Sequence, residues 1–126
     1  MSPRRAALKL WADDENPDFQ ALIATAGHAS DALLAGPEAI RASADQLRAA
    51  AAAGGRRLEA HPCPDPDLRE RLERLVERLG FIARSFEAPV QEYGDGYLPA
   101  LAHQVRTLIA DFTVFMADLG HAIEGH

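Results

Sequence analysis

The sequence has one cysteine, one lysine, one tryptophan and few β-branched residues. Each shortage excludes something. With Cys63 alone no intrachain disulfide can form, so the fold needs no oxidising compartment. Cys63 lies between Pro62 and Pro64, in what reads as a connector. A catalytic thiol needs a base and a lowered pKa; His61 is close in sequence, yet an incidental loop thiol is the expectation. Val, Ile and Thr together number 12, against 25 alanines. That balance favours helix over sheet, because Ala loses no side-chain entropy in a helix and β-branched residues do. Aromatics make up only 6% of the chain.

Basic residues are also short: 13 Lys and Arg against 19 Asp and Glu, for a net charge of −6. Phosphate-binding surfaces need clustered cations, and most arginines here alternate with acids, so neither nucleic acid nor an acidic membrane surface is an expected partner. No stretch approaches the roughly 18 consecutive apolar residues of a membrane span. Ser2-Pro3-Arg4-Arg5 is similar to the opening of a twin-arginine export signal, but Asp13, Asp14 and Glu15 follow where an apolar run is required, so a cytoplasmic location is expected. Arginine in place of lysine, together with the alanine content, points to a GC-rich bacterial genome.

What is present is helical punctuation and helical periodicity. The 126 residues, 48% hydrophobic, suit one domain with a real core. Asn16-Pro17 reads as an N-cap and N1 proline, followed by Phe19, Leu22, Ile23, Ala26, Ser30, Leu33 and Leu34 on one face, up to Gly36. Gly36-Pro37-Glu38 opens a second helix whose seam is Ile40, Ala44, Leu47, Ala51 and Leu58. Gly54 holds the missing seam position, and Gly54-Gly55 is a point where this helix kinks or stops, since each glycine costs about 1 kcal/mol against alanine. Asp65-Pro66-Asp67 opens a third helix carrying Leu68, Leu72, Leu75, Leu79, Ile82 and Phe86 at strict alternating steps of four and three. Its Arg- and Glu-rich remainder reads as a solvated face with i,i+4 pairs. After Pro89 and the loop Tyr93–Tyr97, a last helix opens near Leu98-Pro99 with the widest apolar stripe, from Leu98 through Leu101, Val105, Leu108, Phe112, Phe115 and Leu119 to Ala122.

Four amphipathic segments with near-heptad seams predict an all-α fold, an antiparallel up-down-up-down four-helix bundle with shallow crossings of about +20°. Residues 1–15 read as a short N-terminal arm, with Arg4–Trp11 as an extra segment, and residues 16–126 as the bundle.

The search for chemistry is mostly negative. Bundle metal sites use inward Glu-x-x-His pairs. None occurs, and the nearest pairs, Asp118-x-x-His121 and His28-x-x-Asp31, fall outside the expected core and at different levels, so no metal or other cofactor is expected. No serine lies in a nucleophile elbow and no phosphate-cradling loop is present, so the expectation is a non-enzyme. The stretch Ala26-Gly27-His28-Ala29-Ser30-Asp31 resembles the phospho-acceptor region of histidine-phosphotransfer domains. That resemblance implies a four-helix signalling bundle with His28 as the phospho-acceptor. The family places Lys then Gly three and four residues after the histidine, where this chain has Asp31 and Ala32, and an acid there repels a phosphohistidine.

Two features suit interaction. The loop Tyr93–Tyr97 offers amphipathic contact area around Gly94-Asp95-Gly96, with Tyr93, Asp95 and Tyr97 as binding candidates. On the last helix, His103, Ala110, Val114, Ala117 and His121 form a second seam opposite Phe112, small and nearly uncharged, as helix packing prefers. Ala42, Ala49, Ala52 and Ala53 smooth the second helix in the same way. The leading expectation is a helical interaction module, a small accessory or regulatory subunit that self-associates or binds a larger protein. The alternatives are phosphotransfer through His28, small-molecule binding in a cavity left by Gly54-Gly55, and neutralisation of a basic toxin as an immunity-type protein.

Overall fold

The structure, a computed structural model, describes residues 2–87 and 97–125. Among these residues there are four helices and no strand: α1 (Pro3–Ala35), α2 (Pro37–Ala60), α3 (Pro66–Glu87) and α4 (Tyr97–Glu124). Each helix packs on the next in the chain, and α4 packs back on α1. Contacts between neighbours pair low numbers with high ones. Trp11 Nε1 donates to the His61 carbonyl at 2.8 Å and Arg57 Nε to Glu15 at 2.6 Å. Arg71 and Arg78 reach Asp118 and Asp111 at 2.8 and 2.7 Å. Arg5 Nε donates to the Ile123 carbonyl at 3.1 Å, satisfying part of the last turn of α4.

The first helix departs from expectation. It does not begin at Asn16-Pro17. It begins at Pro3, with Ser2 Oγ accepting from the Arg5 amide at 3.2 Å, and runs through Pro17 without a break. Residues 3–15 are therefore the first turns of α1 and not a separate arm. The reason lies in burial. Leu8, Ala12, Glu15, Phe19, Leu22, Ala26, Ala29 and Leu33 follow one another at steps of four and three, and all are buried except Leu22, which is half-buried against the core. Only a continuous helix keeps Leu8, Trp11 and Ala12 on the same stripe as Phe19. Pro17 lacks an N–H for the Asp13 carbonyl, but both residues are on the exposed side, where water can take up the freed acceptor. The same seam explains why Leu34, expected in the stripe, is 91% exposed. It is turned about 100° from buried Leu33.

The other boundaries follow the sequence punctuation. Gly36 takes φ 114°, a conformation that disfavours any side chain, and so turns the chain sharply into α2. The Asp65 carboxylate caps α3, accepting from the Asp67 and Leu68 amides at 3.0 Å each. Helix α2 runs through Gly54-Gly55 to Ala60, neither stopping nor ending there. A Cβ at Gly54 would stand 3.4 Å from Val76 Cγ2, ordinary van der Waals contact, so Val76 of α3 packs over this part of α2.

The α3 seam and the α4 stripe are buried as expected, from Leu68 to Phe86 and from Leu101 to Leu119. At the centre Phe19 meets Trp11, Phe112 and Phe115 edge-on, with ring centroids 5.7 to 5.9 Å apart. Part of the α3 charge run is not simply solvated. Arg71 and Arg78 flank the apolar seam, so they reach across to α4, and Arg71 also lies over the Phe115 ring at 5.7 Å.

Candidate functional site

The outward face of α4 is built by exclusion. With Leu101, Val105, Leu108, Phe112, Phe115 and Leu119 turned to the core, helical geometry turns His103, Ala110, Val114, Ala117 and His121 away from it, and all five are exposed. Thr107 shares this strip. Its hydroxyl donates to the His103 carbonyl at 2.8 Å, so the strip's one hydroxyl is partnered within its own helix. Of the charged side chains flanking the strip, Asp111 and Asp118 are drawn aside to Arg78 and Arg71 on α3, while exposed Arg106, one turn from His103 and from Ala110, borders its other edge. Between these charged edges the strip itself is uncharged, with Val114, 53% exposed, at its middle. Val114 also walls an open groove of about 270 Å³ between α3 and α4, together with Arg74 and Phe115.

The remaining expected site residues do not join this face. Tyr97 is the first residue of α4, half-buried and packed against the core, so it covers the end of the helices and is not an open loop residue. Tyr93 and Asp95 lie outside the described residues. His28 is exposed on α1, with Asp31 also exposed one turn on. Among the described residues no three His, Cys, Asp or Glu side chains converge in the way a metal ion requires. No described helix is long and apolar enough to cross a membrane.

Cys63 differs from expectation. It is fully buried in the core cluster, held where Arg69 Nε donates to its carbonyl at 2.9 Å. Burial pushes its thiol pKa up, against a smaller opposing effect of the Asp65 backbone. A buried thiol held in its neutral form is the reverse of an activated nucleophile.

One polar cluster has no counterpart in the sequence reading. Glu15 is 5% exposed, on the α1 seam. Arg57 of α2 donates to its Oε2 at 2.6 Å, and Arg57 Nε also lies 2.7 Å from Asp18 Oδ2. Hydrogen bonding to Glu15 raises the Arg57 pKa, with desolvation opposing and the charges of Glu15, Asp18 and Asp14 adding to the rise. Beside this cluster an open groove of about 460 Å³ runs between α1 and α2, walled by Ala21, Ala50, Ala53 and Gly54. The signal was present in the sequence, since Glu15 keeps the four-three spacing between Ala12 and Phe19; Pro17 obscured it. No protein-family model, curated protein or solved structure matches the chain.

Proposed function

We propose that the protein is an antiparallel up-down-up-down four-helix bundle that serves as a non-enzymatic interaction module, a small accessory or regulatory subunit. The paired residues 11 with 61, 15 with 57, 71 with 118 and 78 with 111 support the antiparallel arrangement. The observation that carries the interaction reading is the uncharged outer band of α4, with Val114 exposed between exposed Ala110 and Ala117. Exposed helix faces are ordinarily charged, and a smooth face at heptad spacing suits a second helix. A second copy of the chain is the occupant the band fits best. Two α4 bands laid antiparallel set each Val114 over the other copy's Ala110 and each His103 beside the other's His121. Large meets small in that register, and no like charges oppose within the band.

Light scattering and sedimentation test this reading. The wild type is expected to associate, and the double variant Val114→Glu, Ala117→Glu to be monomeric with unchanged helical circular dichroism, since both positions are exposed. A wild type that stays monomeric at high micromolar concentration would remove self-association.

A further inference from the structure

The outward face of α4 continues onto α3. Arg78 of α3 meets Asp111 of α4. Phe81 and Val114 each stand three residues further along their helices, so each is turned about 60° outward from that seam. Both are exposed, Phe81 by 56%. They sit on the same side of the α3–α4 pair, where Val114 walls the groove between the two helices.

That groove suits an aromatic ring. Leu75 and Phe115, both buried, form its floor, and Arg71, Arg74 and Arg78 its rim. The three guanidiniums are already matched, to Asp118, Glu70 and Asp111. An incoming charge of either sign therefore meets no uncompensated partner. A ring buries apolar area on the floor and lies against guanidinium planes. The protein makes that contact twice within itself, with Arg71 over Phe115 at 5.7 Å and Arg84 over Phe81 at 5.9 Å. Of the large apolar side chains left exposed among the described residues, Leu10 and Leu34 belong to α1 and Val114 is the groove's own wall. Phe81 alone is a knob on the face that carries the hole. A two-fold interface needs that combination, since filling one groove then fills the other.

The register follows from the pairing of α3 with α4. Val114 over Ala110 of a second copy puts the two-fold at Phe112. Because Arg78 meets Asp111, Glu77 of α3 stands level with Phe112. The two-fold that lays α4 on α4 therefore also lays α3 on α3, centred on Glu77. Phe81 is four residues from that centre, about 6 Å, and reaches the level of Glu73 and Arg74 in the second copy. The groove lies at that level, between Arg71 and Arg78. Arg84, seven residues from the centre, comes level with Glu70 of the second copy, an opposite charge. The unfavourable meeting is Glu77 with Glu77 of the second copy.

We infer that Phe81 of each copy inserts into the α3–α4 groove of the other, and that this pair of rings anchors the dimer. The inference rests on the self-association proposed above and adds to it an anchor, a register and a second helix in the interface.

Sedimentation equilibrium of the full-length protein tests it. Phe81→Ala is expected to weaken dimerisation at least ~30-fold, as for an aromatic anchor, with unchanged helical circular dichroism because the side chain is exposed. Leu34→Ala, at the most exposed large apolar position, is expected to leave dimerisation unchanged. Glu77→Lys mixed with wild type reads the register. Only a residue on the two-fold meets itself, so native mass spectrometry is expected to show the mixed dimer above its statistical share. A wild type that stays monomeric removes this inference together with the self-association. A wild type that dimerises through Val114 and Ala117, while Phe81→Ala dimerises just as tightly, keeps the α4 band and overturns the anchor. Equal losses from Leu34→Ala and Phe81→Ala, or no excess of the mixed dimer, would also overturn it.

Discussion

Replacing Pro17 by alanine distinguishes two descriptions of the first helix by the sign of its effect. If Pro17 stood at N1, its fixed φ would suit the helix start and no donor would be missing. Alanine there would only add freedom to the unfolded chain, a loss of about 0.4–1 kcal/mol. In the structure Pro17 lies well inside α1, with the Asp13 carbonyl deprived of its amide partner. Interior proline costs about 3 kcal/mol against alanine. Subtracting the unfolded-state effect leaves a gain of about 2 kcal/mol. The neighbouring Asp14 carbonyl has a long contact from Arg57 Nη2 at 3.5 Å, an exposed interaction whose loss subtracts little. Urea unfolding followed at 222 nm reads the difference. With a slope of about 2 kcal/mol per molar, the midpoint is expected to rise by about 1 M. A midpoint unchanged or lowered, at constant slope, would refute a continuous α1 and restore a helix that starts at Asn16.

Trp11→Ala should destabilise by about 3–5 kcal/mol, because a buried ring that stacks edge-on with Phe19 and donates to the His61 carbonyl is removed; a loss below about 1 kcal/mol in the same urea assay would show that the first turns of α1 do not pack. Cys63 should react with a thiol reagent far more slowly in the native protein than in denaturant, since the side chain is fully buried. Its raised pKa means the folded state holds a proton that the unfolded state releases first. Stability from this group is therefore complete below the ordinary thiol pKa and declines as pH rises through the folded value. Cys63→Ala should flatten that alkaline decline, measured as urea midpoints across the range.

Most of the fold was legible because its signals are local. Asp65-Pro66 caps and starts α3 by bonds within its own first turn, and the Leu68–Phe86 seam needs only its spacing to be read. The α4 stripe and its smooth opposite face follow from one helix's geometry. Pro17 misled because two start signals of the same kind, Ser2-Pro3 and Asn16-Pro17, precede one helix, and nothing local ranks them. Cys63 misled because flanking prolines mark a connector but not which way the connector's side chain turns.

The amino-acid sequence by itself determined the helical class, the apolar seams of α2, α3 and α4 and the turns at Gly36 and Asp65, since capping, periodicity and backbone preference act over a few residues. The tertiary structure decided what those rules leave open. It carried α1 through Pro17, because burial of Leu8, Trp11 and Phe19 outweighs the local penalty, and it carried α2 through Gly54-Gly55 to Ala60. It also made Glu15 a buried residue. Its partner Arg57 lies 42 residues away, so only the packing of α1 on α2 brings the charge pair and the cleft beside it into existence.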